Sequence, residues 1–129
     1  MTSTPIAVDP PQLYRSPAFA QGMIVPEGRL LFVGGQNGVD ENGALVDGLE
    51  AQVALAIRNV LAVLSEAGSG PEYVAKLTIH LAVGVDAGAA FAASQSVWGR
   101  HRTAVTVLAV NPARPGALVE VEAVATVPA

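Results

Sequence analysis

The chain has 129 residues, of which 51% are hydrophobic and only 14% charged, with a net charge of −4 and no cysteine. That composition excludes intrinsic disorder, which goes with low hydrophobicity and high charge, and it excludes disulfides, thiolate metal sites and cysteine nucleophiles. The longest charge-free stretch, residues 87–99, is too short for a spanning helix, and the absence of a basic run argues against a nucleic-acid partner.

Residues 1–17 read as an N-terminal arm rather than a core element. Pro5, Pro10, Pro11 and Pro17 remove ladder donors there, and residues 1–9 lack the basic cluster and apolar run of a signal peptide. A single α+β domain is expected over residues 18–129, in the cytoplasm. Residues 19–25 and 29–33 are apolar runs separated by Pro26-Glu27-Gly28, the pattern of a β-hairpin. Gly34-Gly35-Gln36-Asn37-Gly38 ends the second run, and Asp40-Glu41-Asn42-Gly43 supplies a further turn.

Residues 49–67 carry the clearest helical stripe, with Leu49, Val53, Ile57, Val60, Leu61 and Leu64 on one face. Asp47 is the expected N-cap and Gly68 the residue just past the end. Residues 73–83 alternate Lys76, Thr78 and His80 with Leu77, Ile79 and Leu81, a strand with one wetter face. Asp86 caps a second helix over residues 87–99, where Phe91, Gln95 and Trp98 share a face and Phe91 and Trp98 read as core. Residues 103–110 read as a buried strand, residues 111–116 as a loop, and residues 118–127 as the last strand.

The order β-β-α-β-α-β-β gives a two-layer α+β sandwich, a mostly antiparallel or mixed sheet with two helices on one face. The last strand turns Val119, Val121, Ala123, Ala125 and Val127 one way, and Leu118, Glu120, Glu122, Val124 and Thr126 the other. Both faces carry apolar residues, so the face without helices needs a cover. Partner subunits are the economical one.

Few residues point to chemistry. The Gly34–Gly38 turn either exposes backbone N–H groups to a small anion or simply needs positive φ. It is neither a dinucleotide fingerprint nor a P-loop. Glu120 and Glu122 share a strand face, where they act as acid–base groups or as a solvated face. His80 and His101 lack metal-ligand spacing, so no metal is expected. Arg100, His101 and Arg102 form a basic cluster that either receives a carboxylate or ends a helix. No serine lies in a nucleophile elbow.

Several segments, read in order, carry a resemblance: Phe32-Val33-Gly34-Gly35-Gln36, Asp40 and Gly43, Gln52 with Asn59-Val60-Leu61, Ala67-Gly68, Val74-Ala75-Lys76-Leu77-Thr78, and Gly116 through Val119-Glu120-Val121-Glu122-Ala123-Val124-Ala125. Over residues 16–127 the chain resembles the Rid family of reactive intermediate deaminases, also called YjgF-like or L-PSP endoribonucleases. The resemblance implies a chorismate-mutase-like fold and a homotrimer with three clefts, each lined by two neighbouring subunits. It implies hydrolysis of enamines and imines without a cofactor, an arginine holding the substrate carboxylate. Carried over residue by residue, Gly35, Gln36 and Glu120 match, Glu120 as the catalytic glutamate.

Three ligand-binding positions depart. Phe19 stands for a tyrosine, Gly34 for a serine and, counting back from Gly116 without a gap, Val105 for the arginine. The chain is thus similar to an arginine-less subgroup. The expectation is a hydrolase or deaminase acting on an imine, enamine or related small molecule in an intersubunit cleft. The alternative is a non-catalytic trimeric ligand-binding or regulatory module.

Overall fold

The fold was analysed in a computed structural model that describes residues 4–129. The element order is β1 (Ile6–Val8), β2 (Gly22–Ile24), β3 (Arg29–Gln36), α1 (Leu49–Glu66), β4 (Val74–Ala82), α2 (Ala87–Trp98), β5 (Ala104–Val110) and β6 (Val119–Val127), with a 3-10 turn, Pro71–Tyr73, leading into β4. The α+β sandwich with a mixed sheet is present. Four strands run in the order β3-β6-β4-β5, antiparallel except for the parallel β4–β5 pair. The last strand in sequence is therefore central, between β3 and β4.

The expected hairpin of residues 19–33 is not formed. β2 pairs with β1, antiparallel, in a separate two-stranded sheet, and β3 pairs with β6. The proline-rich N-terminal stretch thus carries a strand, exposed along its length, before Pro10 and Pro11. Residues 1–3 of the expected arm lie outside the described residues. The Pro26–Gly28 turn reverses the chain, but β3 finds a longer and more apolar partner in β6.

α1 forms where its stripe predicts. Val53, Ala56, Ile57, Val60 and Leu64 are buried against Val119, Val121, Ala123 and Ala125 of β6, Leu77 and Leu81 of β4, and Val33 of β3. Its N-cap is Gly48, not Asp47, and no side chain caps it; Gly48 enters at φ 92°, which places Asp47 one residue too early. Its C-terminus closes as a Schellman motif. Gly68, at φ 77°, donates to the Ser65 carbonyl, and Ser69 donates to that of Leu64.

α2 starts as expected, with the Asp86 carboxylate accepting from Gly88 N and Ala89 N. Its inward face is Ala90, Ala93 and Val97, packed toward α1 and the core. Phe91, expected in the core, is 53% exposed, because the burial stripe runs one residue away from it. The buried strand expected at residues 103–110 is also corrected. β5 is an edge strand whose Val107 and Leu108 are half-exposed, since only β4 pairs along it. Among the described residues no helix is long and apolar enough to cross a membrane.

Candidate functional site

The register between β3 and β6 slips by one residue. Val33 lies opposite Ala123, but Gln36 lies opposite Val121, so Gly34 and Gly35 together face Glu122 in a β-bulge. Neither glycine has a positive φ, nor does Gly38, which corrects the expectation that this turn needs one. The glycines are there for space. A Cβ on Gly35 would run into the Glu120 carboxylate, with its Cδ 2.8 Å away. A Cβ on Gly38 would meet the backbone of α1, 2.6 Å from Gln52 Cα. Gly34 has open space.

The Glu120 carboxylate is thus seated directly over the Gly35 backbone. From the same side Asn37 donates its amide to the Val119 carbonyl at 3.1 Å and to Glu120 Oε1 at 3.4 Å. The Asn37 carbonyl accepts from Asn59 Nδ2 of α1 at 3.2 Å, a group that also serves the Val39 carbonyl at 3.0 Å. Gln52, buried on α1, completes the support: its amide donates to the Gly116 carbonyl and its carbonyl accepts from Leu118 N. Helix α1 therefore fixes both the turn beneath Glu120 and the loop that leads into β6.

On the other side lies β4. His80 is in register with Glu120, its Nδ1 3.3 Å from the Glu120 carbonyl and its Nε2 3.7 Å from Glu122 Oε1. Lys76, further along, donates to Thr106 Oγ1 of β5 at 2.6 Å. Glu120, Glu122, His80 and Lys76 all lie on the sheet face away from the helices. A half-buried carboxylate beside open backbone can accept a proton from water or from a ligand N–H. Among the described residues no group of three or more His, Asp or Glu is placed to hold a metal ion.

The remaining candidates lie elsewhere. Gln36, in register with the inward Val121, turns to the helix side; its amide donates to the Gly34 carbonyl, and with Val39, Asp40, Glu41, Leu55 and Asn59 it lines an open depression. Val105 is in register with buried Leu77 and packs against the core, on the opposite face from Glu120. With β4 between them, β5 and β6 are about 10 Å apart. Phe19 lies beside the start of β5, where Ala20 N donates to the Thr103 carbonyl at 2.9 Å. Within one chain, Gly34, Gly35 and Glu120 come together, while Phe19 and Val105 occupy the far edge.

That edge is held by Arg102. Its guanidinium donates to the carbonyls of Ser16 at 3.2 Å and Phe19 at 2.8 Å, and to Asp9 Oδ2 at 3.0 Å. Asp9 Oδ1 accepts from Gln21 N at 3.1 Å, and Arg15 approaches Oδ2 at 3.3 Å. The Gln21 N–H, then Arg102 and Arg15, hold the Asp9 carboxyl below its ordinary value of 3.8 against the opposing effect of burial. The basic cluster read in the sequence does bind a carboxylate, an internal one. The contacts of Asn37, Asn59 and His80 around Glu120 depend on pairings between distant segments, which the sequence does not display.

Comparison with known proteins agrees with this architecture. The family model described as endoribonuclease L-PSP matches residues 13–127. A RutC family protein of Aquifex aeolicus is 44% identical over 52 residues, a segment covering 40% of this chain and 42% of that relative. The chain therefore spans well under half of that curated relative in the match. The crystal structure of YyfB of Yersinia pestis, a Rid-family protein of unknown function, superposes with a TM-score of 0.85 at 29% identity, covering 96% of this chain and 99% of that one. RidA from the Antarctic bacterium Psychrobacter sp. PAMC 21119 shares the fold, with a TM-score of 0.71 at 21% identity over 98% of this chain and 100% of its own. With nearly its whole length matched, the chain belongs to the L-PSP family, the Rid or YjgF-like proteins.

Proposed function

We propose that the protein is a small-molecule hydrolase acting on an imine, enamine or related C=N compound, with Glu120 as the group that activates water. The observation that carries this reading is the Glu120 carboxylate seated over Gly35 and supported by Asn37. Water adds to the carbon of the C=N bond and gives a proton to Glu120. That proton goes to the nitrogen to give a carbinolamine; the carbinolamine hydroxyl then gives its proton to Glu120, which passes it to the nitrogen as the C–N bond breaks, leaving a carbonyl compound and an amine or ammonia. The chemistry requires no redox partner.

The working site lies between copies in a homotrimer. Two features support this. The Glu120 cluster and the Phe19–Val105 edge are too far apart in one chain to share a small ligand. The sheet face away from the helices also exposes Leu30, Phe32 and Leu108. A second copy on that face would cover the apolar residues and bring the two edges together. A cytoplasmic setting suits such a metabolite hydrolase. An RNA-cleaving role fits less well, because carboxylates line the cluster and the chain is anionic, the reverse of a phosphate-binding surface.

The test is semicarbazide trapping of imines and enamines, comparing wild type with Glu120→Ala. We expect a fall of about 10²- to 10⁴-fold in the variant. Equal rates would remove Glu120 from the chemistry. Ligand binding without any turnover would favour the regulatory-module alternative, to which the departures at Phe19, Gly34 and Val105 also point.

A further inference from the structure

Resting on the hydrolase site just described, we infer that Asn37 is its positioning residue: the Asn37 amide engages Glu120 Oε1 and so commits Oε2, the oxygen over Gly35, to the proton transfers. The orientation of the amide is settled by the Val119 carbonyl, which can only accept, so Nδ2 must face it. The second hydrogen on the same nitrogen is then available to Glu120 Oε1, 3.4 Å away. Oε2 has no hydrogen-bond partner among the described residues, and it is the Glu120 atom nearest the place of a Cβ on Gly35. The two carboxylate oxygens are therefore unlike. One is held by the protein, and the other is left to water or a ligand.

Asn37 is itself held from α1. Asn59 Nδ2 bridges the carbonyls of Asn37 and Val39, and the close approach of Gly38 to the Gln52 backbone sets the distance of the turn from the helix. Without the amide, packing alone would keep Glu120 over Gly35, and either oxygen could turn to the ligand. A donor on Oε1 also favours the ionised carboxylate, the form that takes a proton from water. Few other titratable groups face Glu120. Glu122 shares its strand face, and β4 presents His80, close to Glu122, and Lys76, on Thr106. β5 has none, and Arg29 is at the far end of β3. Asp40 and Glu41 line the depression on the helix side. All of these stay in place when only residue 37 is changed.

NMR of the full chain with isotope-labelled glutamate carboxyls tests this without turnover, the Glu120 signal being assigned by its loss in Glu120→Gln. In wild type the Asn37 side-chain amide protons should shift with pH at the Glu120 midpoint, and this response should vanish in Glu120→Gln. The Glu120 midpoint should rise by about half a pH unit in Asn37→Leu, which has a similar shape and no donor. It should rise by about one pH unit or more in Asn37→Asp, which sets a second carboxyl beside Oε1. In semicarbazide trapping of an imine, the acid limb of kcat/KM should move up by the same amounts, with kcat about tenfold lower in Asn37→Leu. A merely structural role would lower the melting temperature and leave that limb where it is. Wild-type Asn37 amide protons that ignore Glu120, or a Glu120 midpoint unmoved in both variants, would overturn the inference. Its failure is separable from that of the hydrolase reading. Glu120-dependent turnover with a pH profile indifferent to residue 37 would keep the hydrolase and discard the positioning role. Coupled Asn37 and Glu120 signals with no turnover of any C=N compound would keep the held and free oxygens and discard the hydrolase.

Discussion

The Glu120 carboxylate occupies the volume that a Cβ on Gly35 would need. Only the absence of a side chain at position 35 lets the carboxylate rest on the β3 backbone. Gly35→Ala should therefore push the flexible end of Glu120 aside while sparing the fold. We expect imine turnover to fall about 100-fold, the scale of a misplacement near 1 Å. Stability should fall by less than about 1 kcal/mol, since a surface side chain can swing away. Trapping kinetics and a urea melt on one preparation read both quantities. An alanine variant with full activity would separate Gly35 from the placement of Glu120.

Two neighbouring glycines give opposite expectations. At Gly38 the obstacle is the backbone of α1 at Gln52, which cannot swing away. Gly38→Ala should cost about 1–3 kcal/mol, as overpacking does, through displacement of α1 from β3. At Gly34 nothing lies within 4 Å and φ is not positive. Gly34→Ala should change stability by less than about 0.5 kcal/mol. Equal denaturation midpoints for the two variants would contradict the geometry.

Much of the fold was legible in local patterns, and what was missed has a common cause. The α1 stripe, the Gly68 terminus and the Asp86 cap are set by neighbours within a few residues, so the sequence displays them. Strand partners are not local. The Pro26–Gly28 turn looks the same whether β3 pairs back to β2 or across to β6, and only the length and apolarity of β6 decide it. Phe91 shows the limit of periodicity, because a stripe of alanines beside it buries instead. At the site, a strand face containing Glu120 was readable from alternation. The bulge that puts Gly35 under it was not, since it depends on a one-residue slip against β6. Asn37 carried no local signal, as its partners lie more than eighty residues away.

Asp9 gives a pH dependence of known sign. Its folded-state pKa is lowered by the Gln21 N–H, Arg102 and Arg15, so the folded state releases the Asp9 proton more readily than the unfolded chain does. The resulting stabilisation is present above the ordinary value of 3.8 and is lost as pH falls through the lower folded value. Asp9→Asn removes the carboxylate that Arg102 and Gln21 share. The melting temperature of the variant should lie below wild type at pH 6, and the gap should narrow as pH drops below 4. A gap that stays constant down to pH 2 would show that the ionised carboxylate contributes nothing to holding the N-terminal segment.

Phe32 tests how the helix-free face is covered. It projects from β3 on the same side as Glu120, in register with Val124, and is 72% exposed in a single chain. Leu30 and Leu108 are exposed as well, so a line of apolar side chains crosses this face. Burying each phenylalanine ring in an assembly would contribute about 1.5–3 kcal/mol. A charge placed there would have to be desolvated with no partner, which costs several times more than an exposed substitution. Light scattering behind size exclusion should give three chains for wild type and one for Phe32→Asp, with the secondary structure of the monomer retained. Because the Glu120 cluster and the Phe19–Val105 edge meet only across copies in the proposed site, the monomer should also lose imine turnover. A wild-type monomer, or a Phe32→Asp trimer with full activity, would place the site within one chain and on a different surface.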